Sequence, residues 1–70
     1  MKYIVVEIQK MANGQIANLV TAYDSKDAAE SHYHTILAAA AIATIPVHGA
    51  VIIDENCVPI AWESYTHGEE

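Results

Sequence analysis

Four histidines, four tyrosines, one cysteine and nine acids are the groups through which this 70-residue chain could do chemistry. His32-Tyr33-His34 resembles a metal motif. On a helix, however, residues i and i+2 lie about 200° apart, so the two rings cannot share one ion, whereas i and i+4 could. No metal or other cofactor is expected. His34 reads as a polar residue on an outer helix face, either solvated or lining a cleft between subunits. His48 follows Pro46-Val47 at the start of a strand. Its default is a satisfied surface or interface histidine, and its functional reading is contact with a ligand at a subunit boundary. Glu7 and Glu63 could approach each other on one sheet face. Paired carboxylates can perform acid–base chemistry, but on so acidic a chain a solvated pair is the expectation. Cys57 has no basic neighbour in sequence to lower its pKa and reads as inert. Tyr3, Tyr33 and Tyr65 could stack on a base or ribose, although strand aromatics commonly just pack, and Trp62 reads as core. There is no Gly-rich phosphate loop, no Gly-x-Ser-x-Gly and no His/Cys zinc pattern. With no nucleophile beside a base, the chain is expected not to be an enzyme.

The elements that must position these groups are organised around one long helix, Asp24 to Thr44. Asp24 or Ser25 can cap its first turn, and Asp27 and Glu30 suit the positive end of its dipole. The run Ala38 to Ala41 has the highest helix propensity available, and Pro46 stops the pattern. At 100° per residue, Ala29, Tyr33, Ile36, Leu37, Ala40 and Ala43 form an apolar stripe with His32 at its edge. Asp27, Ser31, His34, Thr35, Ala38, Ala41 and Ile42 point away. That outer face carries no charge after Glu30, so a second contact there, with another copy of the chain, is expected.

Lys2 to Met11 reads as a strand with Ile4, Val6 and Ile8 on one face. Asn13-Gly14 signals a hairpin into a partner strand, Gln15 to Tyr23, whose register is ambiguous between Ile16/Val20 and Leu19. Val47 to Asp54 reads as a third strand. A turn at Glu55-Asn56 leads to a fourth, Cys57 to Thr66, which Pro59 places at an edge or bulge. His67 to Glu70 reads as a frayed polar tail. The fold expected is therefore α+β, in the order ββαββ: a four-stranded antiparallel sheet with one long helix packed on one face. Ile4, Val6, Ile8, Val51, Ile53, Ile60 and Trp62 are expected to meet the helix. The far face would then carry Tyr3, Val5, Glu7, His48, Ile52, Glu63 and Tyr65, a mixture suited to a subunit interface or a ligand surface.

Seventy residues make one domain, 1–70. So short a chain buries only about 60% of its unfolded surface, yet 53% of its residues are hydrophobic. Assembly into a homo-oligomer, at least a dimer, reconciles the two. The formal charge is −6, with Lys2, Lys10 and Lys26 and no arginine. That argues against nucleic acid polymers, where phosphate neutralisation supplies most of the affinity, and against anionic membranes. The single cysteine permits no intramolecular disulfide. No apolar signal region opens the chain, and the longest uncharged apolar run, Ile36 to Val47, is too short for about 30 Å of hydrocarbon. A cytoplasmic protein is expected.

Three stretches taken together carry a resemblance: Lys-Tyr-Ile-Val-Val-Glu-Ile-Gln (Lys2 to Gln9), Tyr-His-Thr-Ile-Leu-Ala-Ala-Ala-Ala (Tyr33 to Ala41) and Ile-Pro-Val-His (Ile45 to His48). The chain, from Lys2 to about His67, resembles a family of small proteins encoded by phages and prophages of Gram-positive bacteria. Small phage proteins of this kind include sponges such as the Sequestin and Lockin families, which block Thoeris-type immunity by trapping nucleotide signals derived from ADP-ribose. The resemblance implies a non-catalytic homo-oligomer that sequesters such a signal in the cytoplasm of the infected host. The ligand-binding set expected on that reading is His34, His48, Tyr3, Tyr33, Tyr65 and Lys2. With no arginine, lysines, histidines and backbone N–H groups at the helix start must compensate a pyrophosphate. The alternative is a small interaction protein that inhibits or adapts a host protein, its negative charge meeting a basic partner.

Overall fold

A computed structural model describes residues 1–67. The elements run β1 (Tyr3–Lys10), β2 (Ile16–Tyr23), α1 (Lys26–Ile42), β3 (Val47–Asp54) and β4 (Pro59–Thr66). The strands form one antiparallel sheet in the order β2-β1-β3-β4, and α1 lies across one face. This is the ββαββ architecture expected. Of the expected polar tail, residues 68–70 lie outside the described residues.

Local chemistry sets the element ends. Ser25 caps the helix, its hydroxyl accepting from the Ala28 N–H at 3.3 Å. Asp24 is engaged elsewhere, in an ion pair with Lys2. Ser25→Ala is expected to lower stability by about 1 kcal/mol, read as an earlier urea midpoint with an unchanged slope. In the β1–β2 connection the Met11 carbonyl accepts from the Gly14 N–H at 3.0 Å, and only Gly14, at φ 89°, takes left-handed backbone. The β3–β4 turn is built on Asp54, whose carboxylate accepts from the N–H groups of Asn56 (2.8 Å) and Val58 (3.0 Å). Its left-handed residue is Cys57, at φ 66°. β4 begins at Pro59, where the pairing with β3 shifts register between Ile52 and Ile53.

The sidedness of the sheet reverses the expectation. Register aligns Val5 with Ile52 and with Thr21, and Ile52 with Ala61. Val5, Ile52 and Ala50 are the sheet's buried apolar residues, packed against Ala29, Tyr33 and Ile36 of the helix. The helix thus covers the side carrying Tyr3, Val5, Glu7, His48, Ile52, Glu63 and Tyr65. Ile4, Val6, Ile8, Val51, Ile53 and Trp62 stand on the opposite, open side. The reason is steric. Ala50 and Ala61 are small and pack in the same cluster as Tyr33 and Ile36, leaving those helix side chains room against the sheet. Trp62, expected in the core, is 69% exposed. The stripe expected on α1 does face inward through Ala29, Tyr33, Ile36 and Ala40. Neither side of the ambiguous β2 register is core: Ile16, Leu19 and Val20 are all exposed, because β2 is an outer strand and α1 lies mainly over β3 and β1.

Candidate functional site

Two rungs on the helix side, at one end of the sheet, bring several of the chain's polar groups together. Register places Gln9 beside His48 and His48 beside Tyr65; one rung further in, Glu7 lies beside Ala50 and Ala50 beside Glu63. These residues share the helix side. Because Ala50 is small, the His48 ring can reach diagonally to Glu7, and its Nε2 lies 2.7 Å from Glu7 Oε2. The Gln9 amide donates to the same oxygen at 3.1 Å. His48 holds the Glu7 carboxyl below its ordinary pKa through this hydrogen bond, against the opposing effect of burial. An ionised carboxylate only accepts, so Nε2 carries the ring proton. Nδ1 is buried and has no partner among the described residues.

This network corrects the expected Glu7–Glu63 pair. The two strands that carry them are separated by β3, which puts their backbones about 10 Å apart, and Glu7 bonds His48 instead. Tyr33 lies over the same region. Burial first, then the Glu63 carboxylate and Tyr65, push its phenol above the ordinary value. Tyr65 is half-buried and stacks on His67, ring centroids 6.3 Å apart, and His67 Nε2 donates to the Ala40 carbonyl at 2.7 Å.

On the other side of these rungs stand their chain neighbours, Lys10, Val47 and Thr66, which pair with one another across β1, β3 and β4. With the β1–β2 connection (Met11, Ala12, Asn13, Gly14) and Pro46, they line an open hollow of about 600 Å³. A ligand site typically occupies about 300–1,000 Å³, is mostly apolar and offers a few convergent polar groups. Here the polar lining residues are Lys10, Asn13 and Thr66, with the Asn13 amide also engaged by Gln15: its Oδ1 accepts from the Gln15 backbone N–H at 2.9 Å and its Nδ2 donates to Gln15 Oε1 at 3.4 Å. No acidic residue lines the hollow among the described residues. Lys2 is paired with Asp24 and Lys26 with Glu30, so among the described residues Lys10 is the lysine without a carboxylate partner. A smaller depression of about 160 Å³ beside Glu7, lined by Glu7, Gln9, Ala17, Asn18 and Leu19, has a carboxylate and no cation.

The six residues expected to bind ligand are therefore not one cluster. His48, Tyr33 and Tyr65 come together under the helix. His34 is exposed on the outer face of α1, its ring 5.3 Å edge-on from Tyr33. Tyr3 and Lys2 lie at the far end of β1, where Tyr3 packs against the core. Glu7, Gln9, Lys10 and Asn13 were not in the expected set. The signal for Lys10 was available, since it stands next to Asn13-Gly14 with no acid within two residues on either side. No protein-family model, curated protein or solved structure matches the chain.

Proposed function

We propose that this chain is a phage-encoded, non-catalytic binding protein that sequesters a nucleotide immune signal derived from ADP-ribose, counteracting Thoeris-type defence. One observation carries the reading: a hollow of nucleotide-compatible size whose lining, among the described residues, has no carboxylate and holds at its rim Lys10, the lysine without a carboxylate partner among those residues. On a chain of formal charge −6, an anionic ligand is repelled except where a cation stands clear of acids. Lys10 supplies the charge, Asn13 and Thr66 supply hydrogen bonds to phosphate or ribose oxygens, and Met11, Pro46 and Val47 offer apolar surface to the base. The Glu7–His48–Gln9 network holds the rungs behind the hollow in register, so the seat is stiff before the ligand arrives. The interaction-protein alternative would use the open sheet face instead.

Sequestration and cleavage are separated by incubating the protein with ADP-ribose and its cyclised forms, then heating it. The expected result is loss of free ligand on mixing and recovery of the same molecule, unchanged in mass, from the heated supernatant. A new product of different mass would assign an enzyme. Undiminished free ligand would leave the protein-binding alternative.

A further inference from the structure

We propose that the open face of the sheet is the docking surface for a second copy of this chain. Ile4, Val6, Val20, Val51, Ile53 and Trp62 stand on it, with Val20 59% and Trp62 69% exposed. Single exposed apolar residues are ordinary, but a contiguous sheet of them marks an interface. Four strands about 4.8 Å apart and eight residues long project to roughly 500 Å², and side chains standing on that plane bring its accessible area toward the ~800 Å² per partner of a standard interface.

Charge selects the occupant. The register places Glu7, Asp54 and Glu63 on the helix side, and Asp24, Asp27, Glu30 and Glu55 lie on the helix or in turns. Among the described strand residues the only charged side chain that the register puts on the open face is Lys10, at one end, and the Lys2–Asp24 ion pair flanks the other end. A basic partner would find on these strands no acid to recognise, and at their end only Asp24, already paired with Lys2. A second copy, which carries the same net charge of −6, brings no acid of the described strand residues against this face, and each apolar face is the surface the other requires. A two-fold axis makes such a contact self-complementary and closes it at two chains. Two sheets packed face to face lie about 10 Å apart with strands inclined by about 30°, giving four layers with a helix outermost on each side. The outer face of α1 is the weaker candidate: it mixes Ser31, His34 and Thr35 with small alanines and presents one large apolar residue, Ile42.

This inference does not depend on the ligand reading, and its test uses no ligand. Sedimentation equilibrium at micromolar concentration should give twice the 7.6 kDa chain mass. Trp62→Glu and, separately, Val20→Glu should give the single-chain mass with the native circular dichroism spectrum, because neither side chain is in the core. Ala41→Glu, on the outer face of α1, should leave the dimer intact. The one tryptophan gives a second readout, since its emission should shift to the red on dilution through the dissociation range. A wild-type protein that sediments as a single chain, or a dimer that survives both sheet-face changes, overturns the proposal. Loss of the dimer in Ala41→Glu alone would assign the interface to the helix and overturn it as well.

Discussion

His48→Ala should lower stability by about 3 kcal/mol, more than a change at any exposed position. The ring is 4% exposed and bonds the Glu7 carboxylate at 2.7 Å, while the Glu7 side chain is itself 19% exposed. Removing one partner of a buried pair costs about 3–5 kcal/mol because the other charge is left stranded. The partial exposure of Glu7 and its remaining bond from Gln9 put this case at the lower end. A 70-residue domain has roughly 4–10 kcal/mol in all, so the urea midpoint should fall far. His48→Gln keeps an N–H donor near the Nε2 position and should recover part of the loss. The network also has a pH signature. Glu7 has a folded pKa below its unfolded value, so it binds protons more weakly in the folded state. Its contribution is complete above the unfolded pKa, near 4.3, and disappears as pH falls through the folded value. Wild-type stability should therefore drop on acidification below about pH 4, and the drop should be shallower in Glu7→Gln. Equal acid slopes in the two proteins would show that the carboxylate gains nothing from His48.

The second large effect falls on binding. Lys10→Glu is expected to weaken the affinity for an ADP-ribose-type ligand by about 100-fold, since it removes a charge-assisted hydrogen bond of about 1.5–3 kcal/mol and adds a repelling charge. Lys10→Ala should cost about tenfold. Because Lys10 is exposed on the open side at the sheet's end, neither change disturbs the core, and folded-state spectra should not move. Lys2→Ala and His34→Ala should leave affinity unchanged, the first residue being paired with Asp24 at the far end of β1 and the second lying on the outer helix face.

The course of the chain was legible because its punctuation is local. Ser25, Asn13-Gly14 and Pro46 fix a cap, a hairpin and a stop through their own backbone chemistry, and the apolar stripe of α1 follows from its period. The sidedness of the sheet was not legible, because β1 is apolar on both sides: Ile4, Val6 and Ile8 compete with Tyr3 and Val5. What decides between them is the room left by Ala50 and Ala61 under Tyr33 and Ile36, a packing relation between residues far apart in sequence. Glu7, Gln9 and His48 held a partial clue. On the solvent side they would be three unrelated polar residues, whereas under a helix they can persist only as a connected network. The hollow was equally hidden. Its walls come from the β1–β2 connection, Pro46 and the end of β4, and no one of these stretches suggests a cavity. The lysines looked interchangeable in sequence; only the pairing of Lys2 and Lys26 with acids distinguishes Lys10.

Calorimetric titration of ADP-ribose and its cyclised forms into the wild-type protein tests sequestration most directly, with Lys10→Ala run in parallel. At least one of these ligands should saturate the protein with a micromolar or tighter Kd. Binding should be similar at about pH 6 and about pH 8, because a lysine stays charged across that range while a histidine does not. Absence of binding by all of them to a folded protein would contradict the account, and so would tight binding that Lys10→Ala leaves untouched.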